Sequence, residues 1–129
     1  MILLDTQAVL WLAQVPELLS ENAREAISQA RRRSGVAIAD KTLWEIAMLI
    51  SRKRVGIKTS LRDFLQEVEH YCTVLPITGE IAERAVQFTD RYPKDPTDRI
   101  IGATAIVHGL SLVTGDTLIR ASGEVECIW

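Results

Sequence analysis

Met1-Ile-Leu-Leu-Asp-Thr-Gln-Ala-Val-Leu-Trp-Leu12 opens the chain. Its first four residues are a continuous apolar run, too short for a helix and typical of a strand covered on both faces. A helix-like segment, Ala8 to Leu12, follows and stops before Pro16. Between the two sits one acid, Asp5, at the carboxyl end of the predicted strand. A buried strand that turns through a carboxylate into a helix is the first half of an α/β unit.

The same alternation continues down the chain. A helix is predicted from about Ser20, with Glu21 in its first turn, to Arg31–Arg33, whose positive charge suits the negative pole of a helix end. Gly35 breaks it, and Val36-Ala-Ile-Ala39 reads as a second buried strand. Residues 41–54 form the next helix, with Leu43, Ile46, Ala47 and Ile50 on one face. Further helices are expected over about 60–70, from Gly79 to Phe88, and from Asp95 to His108 before Gly109. Short strands are expected at Thr73–Leu75, Leu110–Val113 and Val125–Ile128. No repeat, low-complexity tract or linker interrupts this order, so residues 1–129 are read as one domain. Strands alternating with helices mean a three-layer α/β/α architecture with a parallel sheet of about five strands. In such sheets ligands gather beyond the carboxyl ends of the strands.

Composition narrows the function classes. With 47% hydrophobic and 25% charged residues, the 129-residue chain has the mix of a soluble globular protein. No apolar stretch approaches the roughly 18 residues of a membrane span, and the acid at Asp5 argues against a signal peptide, so a cytoplasmic protein is expected. Cys72 and Cys127 have neither disulfide-framework nor zinc-site spacing and read as small apolar residues. The net charge of −2 hides an asymmetry: residues 24–62 hold ten bases and three acids, +7, while the rest carries −9. Such a division can build one basic face for a polyanion, or simply a solvated helix surface.

The acids are more informative. Asp5 and Asp116 both follow strands at the rim, Glu45 is the one charge in Leu43-Trp-Glu-Ile-Ala-Met-Leu-Ile50, and Asp95 and Asp98 stand where a helix begins. Each has a purely structural reading. Asp5 can cap a helix, Thr42 and Glu45 fit a capping box, Asp95-Pro96 is a model helix start, Asp98 suits the helix dipole and Asp116 a turn. Together they point further, because carboxylates gathered on one rim repel unless a cation holds them. Mg²⁺ or Mn²⁺ is the natural counter-ion, since both take oxygen ligands and no histidine pair or cysteine cluster proposes zinc. His70 and His108 each lie late in a helix, where a dipole or surface role is expected. Acid-only metal sites suit phosphodiester hydrolysis, in which the ion activates water and neutralises charge on the phosphate. No Cys/His or Ser/His pair offers a side-chain nucleophile.

Four segments carry a resemblance: Ile2-Leu-Leu-Asp-Thr-Gln-Ala-Val-Leu-Trp11, Thr42-Leu-Trp-Glu-Ile-Ala47, Asp95-Pro-Thr-Asp-Arg-Ile-Ile-Gly-Ala-Thr-Ala105 and Leu112-Val-Thr-Gly-Asp116. In order and spacing the chain resembles the PIN-domain ribonucleases, specifically the VapC toxins of type II toxin–antitoxin pairs. The resemblance implies a PIN fold and a metal-dependent endoribonuclease acting on structured RNA such as tRNA or rRNA. It further implies a cognate antitoxin that blocks the site, and a homodimer. Asp5, Glu45, Asp98 and Asp116 match the family's four acids. Asp95 is read as a cap first and a metal-site helper second, and Thr114 as a hydroxyl bonding a metal water or a ligand. Thr6 is given the same role or that of a cap. Arg99 is expected either to orient a carboxylate or contact phosphate, or to form a plain surface ion pair.

The chain departs from many relatives at Gln7, where they have His, and at Leu49-Ile50, near which they carry Lys. The triplet Arg52-Lys53-Arg54 is expected to grip substrate instead. Trp11 and Trp44 are read as core or dimer interface rather than base-stacking platforms. Two other readings remain: a PIN domain that binds RNA or protein without cutting, and a metal-dependent nuclease outside a toxin–antitoxin pair.

Overall fold

The computed structural model describes residues 1–129. Five strands, β1 (Ile2–Leu4), β2 (Val36–Ala39), β3 (Thr73–Leu75), β4 (Leu112–Val113) and β5 (Cys127–Ile128), form one sheet in the order β3-β2-β1-β4-β5. Every pair is parallel, with Leu3 opposite both Ala37 and Leu112. Seven helices connect them: α1 (Thr6–Gln14), α2 (Glu21–Arg33), α3 (Asp40–Ser51), α4 (Leu61–Tyr71), α5 (Gly79–Ala85), α6 (Pro96–His108) and α7 (Thr117–Ser122). A single 3-10 turn lies at Pro16–Leu18, and no helix is long and apolar enough to cross a membrane.

Alternation along the strands sorts the core into two layers. Leu4, Val36, Ile38 and Val113 face one side, where they meet Val9, Ile27, Ile46, Phe64 and Val68 of α1 to α4. Leu3, Ala37, Ala39 and Leu112 face the other, against Ile81, Ala85, Ile101, Ala103 and Ile119 of α5 to α7. Buried on both faces, these strands need no polar side, which is why they read as unbroken apolar runs.

Several predicted boundaries shorten. The helix expected over 41–54 begins at Asp40 and ends at Ser51, where Arg52 caps it and Lys53 turns at φ 56°. The helix expected to reach Phe88 stops at Ala85, because Val86 and Gln87 bond to carbonyls only three residues back and tighten the chain out of the α path. The last two strands shrink to Leu112–Val113 and Cys127–Ile128. Thr42 is no helix cap: α3 begins two residues earlier behind Ala39, so no Thr42–Glu45 capping box forms. Of the two cysteines, Cys72 is buried as expected, while Cys127 is only half-buried and donates its Sγ hydrogen to the Val125 carbonyl.

Candidate active site

The strand order reverses at β1: the chain runs outward to β2 and β3, then returns to place β4 on the other side. Adjacent loops therefore part at the carboxyl ends of β1 and β4 and leave a crevice there. A cleft of about 350 Å³ opens at this point, lined by Asp5, Thr6, Gln7, Trp11, Glu45, Leu49, Asp98, Ile101, Gly115 and Asp116. Of the five acids singled out in the sequence, the four that match the family's acids line it.

Each acid arrives on a different element. Asp5 ends β1 and caps α1, its Oδ1 accepting from the Ala8 N–H at 2.7 Å. Asp116 lies beyond β4 and caps α7, accepting from Leu118 and Ile119 at 2.8 and 3.0 Å. Asp98 rides the first turn of α6, which starts at the sheet's carboxyl rim because it must lead back down into β4. Glu45 projects from α3, which leaves the end of β2. Asp95 is exposed and caps α6 through the Asp98 N–H at 3.0 Å; it does not line the cleft. The structural readings of Asp5 and Asp95 as caps are thus correct, and capping is what aims the neighbouring carboxylates.

Two threonines tie these elements together. The buried Thr114 hydroxyl accepts from the Asp116 N–H at 3.1 Å, and its presence beside Asp5 favours the ionised form of that carboxyl. Thr6 does not cap α1; its hydroxyl donates to Thr42 at 3.3 Å in a buried contact that fastens the start of α1 to α3, the helix of Glu45.

Burial pushes the Asp5 carboxyl up to about 6; the hydrogen bonds from Thr114 and Ala8 oppose this, and the charges of Asp116 and Glu45 add to it. Burial likewise raises Asp98 to about 7, reinforced by Asp95, Asp116, Glu45 and Asp5. The acids therefore sense one another, and the cluster favours added positive charge. No three of them stand close enough together to enclose an ion as they are. Asp5 and Asp116 each commit an oxygen to a helix end. The all-oxygen donor set fits a hard divalent cation that keeps several of its waters.

Other expectations are redistributed. Arg99 neither orients a carboxylate nor faces the cleft: its Nε donates to the Pro93 carbonyl at 2.9 Å, and its Nη atoms reach the carbonyls of Phe88, Thr89 and Tyr92 at 3.4 Å. It ties the 88–93 loop to α6. Arg31–Arg33 end α2 at the amino end of β2, away from the cleft, so the basic stretch does not form one face. Arg31 instead bonds the Tyr71 carbonyl at 3.0 Å. Arg52, Lys53 and Arg54 are exposed in the turn after α3. Trp11 packs on the core and walls the cleft, whereas Trp44 is 53% exposed and is not core.

Two supporting residues escaped the sequence reading. Tyr92, buried and stacked on Phe88 with centroids 3.9 Å apart, donates to the Asp98 carbonyl at 2.8 Å and so steadies the turn that carries this acid. Trp129 lies 5.8 Å from Trp11 and covers Gly115, where a Cβ would come within 2.9 Å of its ring. A glycine before Asp116 was the available sign that something approaches the backbone there.

Comparison with known proteins agrees with this geometry. The PIN-domain family model matches residues 2–124. Ribonuclease VapC22 of Mycobacterium tuberculosis is 34% identical over 120 residues, 93% of this chain and 90% of that protein. The fold is shared with a toxin–antitoxin complex from Klebsiella pneumoniae, at 24% identity, 94% and 91% coverage of the two chains and a TM-score of 0.69. It is also shared with VapBC-1 from nontypeable Haemophilus influenzae, at 15% identity, 98% and 96% coverage and a TM-score of 0.75. On sequence and fold together, the chain belongs to the PIN-domain family, in its VapC ribonuclease branch.

Proposed function

We propose that this protein is the toxin of a type II toxin–antitoxin pair, an Mg²⁺- or Mn²⁺-dependent endoribonuclease that cuts structured RNA such as tRNA or rRNA. The carrying observation is a cleft lined by four acids, with no cysteine, histidine or serine among its residues. Its one hydroxyl side chain, Thr6, is committed to Thr42. A carboxylate-rich site that lacks a thiol, imidazole or serine nucleophile suits metal-assisted hydrolysis, with water attacking phosphorus in line and the P–O3′ bond breaking.

Asp5, Glu45, Asp98 and Asp116 are the residues that would hold one or two cations. A divalent cation bound there supplies water activation and charge neutralisation at the phosphate. The chain's own part is placement. The caps on α1 and α7 fix Asp5 and Asp116, Thr114 holds the Asp116 backbone, and the Tyr92 bond holds the Asp98 turn. Kinship with a protein named as a VapC ribonuclease supports RNA as substrate. The toxin–antitoxin complexes that share the fold support a cognate antitoxin as partner, and the same reading carries a homodimer as working form and the cytoplasm as place of action.

The test is incubation of antitoxin-free protein with total cellular RNA and Mg²⁺ or Mn²⁺, beside EDTA and Asp98→Asn controls. Discrete fragments that vanish in both controls are expected. Folded protein that cuts nothing with either metal would sink the reading.

A further inference from the structure

Trp44 is a large aromatic side chain left 53% exposed immediately beside Glu45. On α3 the helical repeat sends Thr42 and Ile46 into the core and Glu45 and Leu49 toward the cleft. Lys41, Trp44 and Met48 share the adjoining outer flank, and exposed Arg52 follows one turn on. Lys41 Nζ stands 4.1 Å above the centre of the Trp44 ring. An acidic cleft by itself repels a phosphate backbone, so the strand must be gripped at its edge by cations. This flank provides two of them around a flat apolar face.

We propose that the outer flank of α3 is a nucleotide-binding lip. An unpaired base beside the scissile phosphate stacks on Trp44, while Lys41 and Arg52 take the neighbouring phosphates. The inference rests on the ribonuclease reading and adds to it a requirement for a single-stranded or splayed nucleotide at the cut. Stacking of a base on an aromatic ring outweighs an exposed cation–π contact, so Lys41 can leave the ring for a phosphate as RNA arrives. A protein partner fits the flank less well, because its apolar part is confined to Trp44 and Met48, between Lys41 on one side and exposed Ser51 and Arg52 on the other.

The test measures binding of a short fluorescein-labelled oligoribonucleotide, single-stranded or annealed as a duplex, in an Asp98→Asn background. Trp44→Ala should weaken single-strand binding roughly tenfold, with Trp44→Phe close to the parent and duplex binding unchanged. In the active protein, Trp44→Ala should raise KM for RNA while kcat and oligomeric mass stay as they were. Lys41→Gln should weaken binding and flatten its salt dependence. Unchanged single-strand binding, an equal loss on duplex, or a fall in mass (a contact between copies instead) would overturn the lip yet leave the ribonuclease reading standing if the parent still cleaves. A parent that neither binds nor cuts RNA would overturn both.

Discussion

Asp5 shows how one carboxyl group serves fold and chemistry together: one oxygen ends the helix, and the group still lines the cleft. The acids differ in what their removal costs. Asp98 makes no side-chain cap, so Asp98→Asn should keep the fold while removing several kcal/mol of charge stabilisation, roughly a hundredfold or more in cleavage rate. Fragment yield from total RNA reads this directly. The raised carboxyls also give stability a pH dependence. Asp5 at about 6 and Asp98 at about 7 bind protons more tightly when folded than at the ordinary value of 3.8. Their ionised forms therefore destabilise the native state: the penalty is absent below 3.8, grows with pH, and is complete above about 7. In cation-free buffer, melting curves of Asp98→Asn should match the parent near pH 3.8 and gain on it steadily toward pH 7. A constant offset across that window would contradict the assignment.

Helix α6 concentrates the element-scale arguments. Asp95 caps it, Pro96 takes the first helical position, and Gly109 closes it at φ 65°. Asp95→Ala should cost about 1 kcal/mol in urea unfolding, yet leave cleavage standing, because the residue acts by capping. Loss of cleavage comparable to Asp98→Asn would instead make Asp95 a ligand. Further along, Gly102 admits Tyr92: a Cβ there would overlap the Tyr92 hydroxyl and come within 2.8 Å of its ring carbon. Gly102→Ala should therefore destabilise by about 1–3 kcal/mol, as overpacked cores do. Pushing Tyr92 aside also breaks its bond to the Asp98 carbonyl, so cleavage should fall with stability. Most of α6 was legible beforehand, since Asp-Pro at one end and Gly at the other are local signals. Its partners Tyr92 and Phe88 were not, because nothing in the local pattern tells a helix which loop will pack on it.

Across the whole molecule, the cleft is a charge imbalance built by topology. A cation that binds only the folded state stabilises it by mass action, so Mn²⁺ at about 100 times its dissociation constant should add roughly 2.7 kcal/mol. The rise in Tm should reverse with EDTA and shrink in Asp98→Asn; an equal rise in both proteins would place the ion elsewhere. The parallel sheet and six of the seven helices were readable along the chain, because run length, helical period and capping residues act over a few neighbours; the short α7 was not, and the resemblance selected four of the five acids. Three-dimensional packing alone decided that Trp44 stays outside, that Trp129 closes the wall over Gly115, and that Arg99 binds carbonyls. It also divided the basic stretch between the two ends of the sheet. Those outcomes depend on segments far apart in sequence meeting across parallel crossovers, and each segment's own residues carry no record of which surface it will meet.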